Sequence, residues 1–294
     1  MDDKNADIQV VRAEAEQGGP EAQFILGVCL MKGDRCRRDP KEAVKWLRAA
    51  AENGHILAQG HLAVCLFHGV GCRKDSVEAG RWVRAAASGG DPRAQFNLAI
   101  SLYHGDGCPQ DHQEAVKWFR AAADMGHLEA QYLLALSLDK GDGCPTDHAE
   151  AVRWYRAAAE GGHLSAQFNL AVSLHSGEGC QIDEAEAFKW LHAAASRGHV
   201  AAQRNLSHCL FNGIGCEKDP QEAVHWLREA ADQGDDTAQC FLGLCLLEGI
   251  GCQEDHSKAK KWLRAAAGAG NDQALVILAG MKESKKGRTW KYNR

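Results

Sequence analysis

The stretch DPKEAVKWLRAAAENGHILAQGHLAVCLFHGVGC, residues 39–72, decides the fold, because most of its positions return thirty-six residues later and keep returning. Tryptophan marks the beat at Trp46, Trp82, Trp118, Trp154, Trp190, Trp226 and Trp262. Glycine keeps it from Gly33 to Gly249 and again from Gly54 to Gly270, cysteine from Cys36 to Cys252, and aspartate from Asp39 to Asp255. A fixed period of this length is the mark of a repeat architecture.

Each column has a backbone reason. Asp39 and its counterparts sit where a carboxylate accepts the free amides of a helix's first turn. Six of the seven are followed three residues on by Glu, which reads as a reciprocal capping box. Pro40 and Pro220 suit the first helical position, where a missing amide costs nothing. The closing glycine of each unit, such as Gly54, suits the left-handed residue that ends a helix. Between cap and glycine, Lys41 to Asn53 carries Ala43, Trp46, Leu47, Ala50 and Ala51 on one face, which predicts a helix, type B. Ile56 to Phe67, with Ala58, Leu62, Val64, Cys65 and Leu66, predicts a second helix, type A, and Gly69 and Gly71 turn the chain into the next unit. A single helix pair is too small to bury its own apolar face and must stack on its neighbours.

The pattern Ala58-Gln59, Leu62, Ala63, Gly69-Val70-Gly71, Asp75, Ala79, Trp82 and Ala85-Ala86-Ala87 resembles the Sel1-like repeat family, relatives of the tetratricopeptide repeats, and does so over nearly the whole chain. Two features depart from that family's usual pattern: Cys follows the second loop glycine where a small aliphatic is usual, and Arg35 replaces that glycine in the first unit. The expected fold is an all-α right-handed alpha-alpha solenoid of seven 36-residue Sel1-like repeats with half-repeat caps. The expected boundaries are an N-terminal capping helix in 1–18, repeats in 19–270, a C-terminal capping helix in 271–281 and a basic tail in 282–294. The capping helix of residues 3–17 has Val10 in the tryptophan position.

Charge and composition narrow the function. The chain carries a net charge of −5, and its tail opposes Lys282, Lys285, Lys286, Arg288, Lys291 and Arg294 to the single acid Glu283, so the body is the more acidic part. That argues against nucleic-acid binding by the body and reads the tail as a solvated segment able to meet an acidic surface. The N-terminus shows no apolar signal core and the chain no membrane-length apolar run, which makes a cytoplasmic protein the expectation.

Twelve cysteines leave three readings open. Cys29, Cys65, Cys209 and Cys245 stand seven residues before a loop cysteine, while Ser101, Ser137 and Ser173 take that place in the middle units. The interchange favours reduced cysteines as compact core residues. Local disulfides in the terminal units and metal binding are the others; no Cys-x-x-Cys pair occurs, and no metal or cofactor is expected. The cross-link known in cysteine-rich members of the family has no counterpart here, since Ala49 to Ala51 occupy its first site. His55, His127, His163 and His199 follow the closing glycine, where Asp91, Asp235 and Asn271 stand in other units, and so read as helix-start caps or plainly exposed residues and not as ligands. His112, His148 and His256, after the cap aspartate, read as solvated.

The chain reads as no enzyme. No phosphate loop, dinucleotide fingerprint or Gly-x-Ser-x-Gly elbow is present. Because some family members are associated with β-lactam hydrolysis or binding, Ser257-Lys258-Ala259-Lys260 matters as a literal Ser-x-x-Lys, yet neither Ser-Asp-Asn nor Lys-Thr-Gly accompanies it. The expected function is a non-catalytic scaffold that binds a peptide or protein on the concave face lined by A helices. The alternatives are a β-lactamase-like hydrolase or small-ligand binder, and a redox-sensitive or haem-handling cysteine protein.

Variable columns on the A helices name the candidate contacts. One runs Ile25, His61, Asn97, Leu133, Asn169, Asn205 and Phe241; seven residues on, over nearly the same face, come Lys32, His68, His104, Lys140, Ser176, Asn212 and Glu248. A neighbouring column supplies Phe67 and Tyr103. Asn both donates and accepts, which matches the amides of an extended peptide. The tryptophan column reads as core between repeats.

Overall fold

The computed structural model describes residues 3–284, with side chains from 8 to 281. Among them every regular element is an α-helix, and the chain divides into two compact units, Met1–Asp147 and His148–Arg294. The first unit holds α1 (Asp3–Glu16), α2 (Pro20–Lys32), α3 (Pro40–Glu52), α4 (Ile56–His68), α5 (Ser76–Ser88), α6 (Pro92–His104), α7 (His112–Asp124) and α8 (Leu128–Lys140). The second holds α9 (His148–Glu160), α10 (Leu164–Ser176), α11 (Glu184–Ser196), α12 (Val200–Asn212), α13 (Pro220–Asp232), α14 (Asp236–Glu248), α15 (His256–Gly268) and α16 (Asp272–Ser284). Even-numbered helices are type A and odd-numbered ones type B. Within each unit, consecutive helices pack on one another.

The core is a leucine column on the A helices. Leu26, Leu62, Leu98 and Leu134 in the first unit, and Leu170, Leu206 and Leu242 in the second, are at most 1% exposed, each worth about 1.5–3 kcal/mol of burial. The alanine columns of the B helices, such as Ala50 and Ala51, let the neighbouring helix approach closely and are as completely buried. At the ends, α1 adds Ile8 and Ala15 to the core, and α16 adds Ala274 and Ile277. Val10 is 59% exposed and does not replace the missing tryptophan.

Helix starts follow the caps only in part. Asp39 Oδ1 accepts the amides of Lys41 and Glu42 at 3.0 Å, and Asp75 accepts that of Glu78 at 2.8 Å. The reciprocal half of the capping box is absent from these repeats. The Asp39 amide donates to Leu30 O and the Asp75 amide to Leu66 O, fastening each loop to the A helix before it. The freed Glu carboxylates turn elsewhere. Glu42, Glu78, Glu114, Glu150, Glu186 and Glu222 each accept the indole N–H of the tryptophan four residues on, at 3.1–3.2 Å. Several also receive an arginine from thirty residues earlier: Arg12 to Glu42 at 2.6 Å, Arg84 to Glu114 at 2.5 Å, Arg48 to Glu78 and, in the second unit, Arg156 to Glu186. These bonds hold the four carboxyls below the ordinary glutamate range, the arginine being the largest cause.

The tryptophans are consequently half-buried, not interior. Trp82 lies against the cluster of Leu47, Leu62 and Leu66, with its N–H on the accessible side where Glu78 waits. A buried indole N–H needs an acceptor, and the Glu supplies one only at the margin of the core.

The second-loop glycine has a separate job. A Cβ on Gly71 would fall 2.1 Å from the Pro40 carbonyl oxygen, so the loop of one repeat lies against the backbone that starts the previous B helix.

The histidines divide between helix caps and residues paired with an acid, and the cysteines between core and loop. His55, His127, His163 and His199 are N-caps, their Nδ1 accepting the amides of Ala58, Ala130, Ala166 and Ala202 at 3.2–3.3 Å. Phe24, Phe96 and Phe168 stack on His55, His127 and His199 at 4.5–4.7 Å. Burial lowers the pKa of His127 and His199, a direction that favours the neutral ring whose Nδ1 can accept. His112 and His148 are not simply solvated: each meets the acid of a loop thirty residues on, Asp142 and Glu178. His256 is exposed beside Glu254. Cys29, Cys65, Cys209, Cys240 and Cys245 are buried core residues outside any disulfide, whereas the loop cysteines are half-buried. The Cys72 thiol donates to Cys65 O at 3.5 Å and the Cys180 thiol to Ser173 O at 3.5 Å, which is why serine serves at the partner position: only its carbonyl is used.

Candidate functional site

Side chains of the A helices converge on two adjoining crevices in the first unit. The first, about 250 Å³, opens between α4 and α6 and is floored by α5. Phe67, His68 and Asn97 line it together with Val64, Val83 and Asp106. The second, about 240 Å³, lies between α6 and α8, where Tyr103, His104 and Lys140 surround an apolar floor of Phe119, Leu133 and Leu136. Ile100 contributes to both. Six of the ten expected contact residues thus share one face.

The polar groups of the two crevices differ. In the second, Tyr103 OH donates to Asp142 Oδ2 at 2.6 Å and His112 Nδ1 donates to Asp142 Oδ1 at 2.5 Å, while the Tyr103 and His112 rings stack at 4.6 Å. The hydroxyl and the imidazole lower the Asp142 pKa, and the same bond to Asp142 raises that of Tyr103. In the first crevice, Phe67 lies beneath a cation of the chain itself, Lys74 Nζ, 5.4 Å from the ring centroid.

The other expected residues lie apart. His61 on α4 meets the edge of the Phe24 ring at 5.3 Å, and burial first, then the charges of Lys32 and Arg93, lower its pKa. Lys32 is exposed at the end of α2. Asn169 on α10 and Asn205 on α12 belong to the second unit and are half-buried, more covered than Asn97. Ser257 is exposed in the first turn of α15, its amide and that of Lys258 both donated to Asp255. Of the basic tail, residues 285–294 lie outside the described residues, as do the side chains of 282–284. Among the described residues no group of His, Cys, Asp and Glu could hold a metal ion, and no helix is long and apolar enough to cross a membrane.

Sequence reasoning missed Asp106, Asp142, His112, Gly80 and Val83, all at or beside the crevices. The signal was present in the columns. Gly80 stands where Val44, Val116, Val152 and Val224 are found, and Val83 where Leu47, Phe119 and Tyr155 are found.

Comparison with known proteins agrees with this architecture. The Sel1 repeat model matches residues 20–55, 56–91, 92–127, 128–163, 164–199, 200–235 and 236–271. Among solved structures, the chain is similar to c5321, described as a protective antigen present in uropathogenic Escherichia coli strains displaying an SLR fold. Identity is 32% and the TM-score 0.84, over 92% of this chain and 58% of that one. The chain therefore spans a little over half the length of that protein. A Sel1 repeat protein from Oxalobacter formigenes is 34% identical with a TM-score of 0.70, over 93% of this chain and 79% of that one. No curated protein matches the chain.

Proposed function

Because the chain belongs to the Sel1 repeat family, we propose that it is a non-catalytic scaffold holding a peptide or protein partner on the side chains of its A helices. The observation that carries this reading is the pair of adjoining crevices, apolar below and edged by Asn97, His68, His104 and Lys140. An apolar floor supplies burial, and convergent polar groups orient what lies on it. The frame beneath is tied by the Arg–Glu bonds and the loop contacts, which lessens the backbone ordering that binding would require.

The test is affinity capture from the native extract by the intact chain, by an Asn97→Ala, His104→Ala variant and by an Asn169→Ala, Asn205→Ala variant, with helicity checked by circular dichroism. A partner released by the first variant supports binding at the crevices, and loss in the second extends the site to the other unit. A partner retained by both, or no specific capture at all, refutes the reading.

A further inference from the structure

In a repeat lattice each column states what the same place holds elsewhere, so an exception stands out. On α5 two neighbouring columns shrink at once. Gly80 replaces a valine that is buried as Val44, Val116, Val152 and Val224, and Val83 replaces a larger side chain that is buried as Leu47, Phe119, Tyr155, Leu191 and Leu227. Side chains removed from a packed lattice leave space wherever the surroundings do not collapse. The first crevice shows that they have not: it reaches Ser76, Ala79, Gly80 and Val83 of α5, whereas the second stops at the Phe119 ring.

A second exception lies in the same crevice. Asp106 is the counterpart of Asp142 and Glu178. Asp142 receives the Tyr103 hydroxyl and the His112 imidazole, and Glu178 meets His148 at 3.2 Å. At the matching positions beside Asp106 stand Phe67, which has no hydroxyl, and Ser76, too short to replace an imidazole; all three line the crevice. The repeat keeps the acid and omits the donor that its neighbour carries.

We propose that this crevice is the socket for one basic side chain, arginine above lysine, projecting from a protein partner. Its stem lies on Val64, Val83 and Ile100, and its cation faces Asp106, with the Asn97 amide oxygen as a further acceptor. A planar guanidinium can also stack on Phe67, but only by displacing Lys74 Nζ, which lies 5.4 Å from that ring's centroid. The net charge of −5 favours a basic partner at longer range. This socket deepens the binding role proposed above and rests on it.

The test uses n-butylguanidinium, a stand-in for the arginine side chain, titrated into the ¹⁵N-labelled full chain beside 1-pentanol and pentanoate. Butylguanidinium is expected to shift the amides of Gly80, Val83 and Asp106 saturably and more tightly than pentanoate. Asp106→Asn should weaken it by about threefold, as for an exposed ion pair, and leave pentanol unchanged. Val83→Phe and Val83→Leu, which install what Phe119 and Leu47 already are, should abolish binding of all three. Equal binding of cation and anion, or butylguanidinium binding that survives both Val83 variants in a chain of unchanged helicity, overturns the socket. A partner that needs Asn97 and His104 while butylguanidinium is ignored refutes the socket alone. Butylguanidinium bound at these amides, with a captured partner retained by both capture variants, refutes the scaffold reading instead.

Discussion

Replacing Gly71 with Ala tests how closely successive repeats approach. The new Cβ would lie 2.1 Å from the Pro40 oxygen and 2.5 Å from its carbon, far inside contact distance, on a backbone with φ of +73°. Gly54 is the control, with φ of +82° and nothing within 4 Å of its Cβ. Left-handed backbone costs an alanine about 1–2 kcal/mol, which Gly54→Ala bears alone. Gly71→Ala adds the displacement of packed backbone, about 1–3 kcal/mol more. Arg35 shows which part is decisive: it holds the equivalent position at φ 59° with a full side chain, so left-handed backbone by itself is tolerated. The assay is native-state amide exchange in α3 and α4, where local opening reports the free energy of that region. The excess corresponds to exchange roughly 5- to 150-fold faster in Gly71→Ala than in Gly54→Ala. Equal rates in the two variants would refute the close approach.

Three further outcomes follow from the side chains. Glu42, Glu78, Glu114 and Glu186 have folded pKa values lowered from 4.5 by arginine, so their contribution is complete above pH 4.5 and is lost as pH falls through the lowered values. A variant with all four changed to Gln should show a flatter loss of urea midpoint between about pH 5 and pH 3, and a curve parallel to the parent would count against the ladder. Met125→Gln should raise the free energy of unfolding obtained from urea titration by about 1 kcal/mol. The buried Gln95 Oε1 lacks a partner, whereas Gln23 and Gln203 receive Asn53 and Gln233 at that offset; no gain would show that the offset does not transfer. Iodoacetamide at neutral pH should modify half-buried Cys72, Cys108 and Cys180 before Cys65, Cys209 and Cys240, pushed to about 11 by burial, and Cys245, pushed to about 12. Mass spectrometry of timed samples checks the order, and early labelling of Cys245 would contradict its burial.

Much of the fold was legible because its causes are local. Asp39, Pro40 and Gly54 act within a turn of where they stand, and the type-B helix expected at Lys41–Asn53 forms as Pro40–Glu52. The histidine caps were legible for the same reason, since Asp91 and Asp235 do the same work as His127 and His199. What escaped depends on the thirty-residue offset, which helix packing sets and no single repeat displays. Glu78 looks like half of a capping box until Arg48 is known to reach it. His112 looks solvated until the next loop brings Asp142. The expected contact columns reach the crevices at Phe67, Asn97 and Tyr103, but the depth of the first crevice comes from the B helix, at Gly80 and Val83.

The constant offset also makes the first unit editable. Arg12 to Glu42, Arg48 to Glu78 and Arg84 to Glu114 are one instruction executed three times, so a partner is addressed by distance along the chain and not by identity. Excising residues 56–91 would bring Glu114 to the offset from Arg48 that Glu78 holds now, and would set Gly107 on the same spacing from Pro40 as Gly71. What such an excision discards is Gly80 and Val83, the two exceptions that deepen the first crevice. Number of units and depth of the first crevice are therefore separable variables in this chain, one written in the shared columns and the other in their departures.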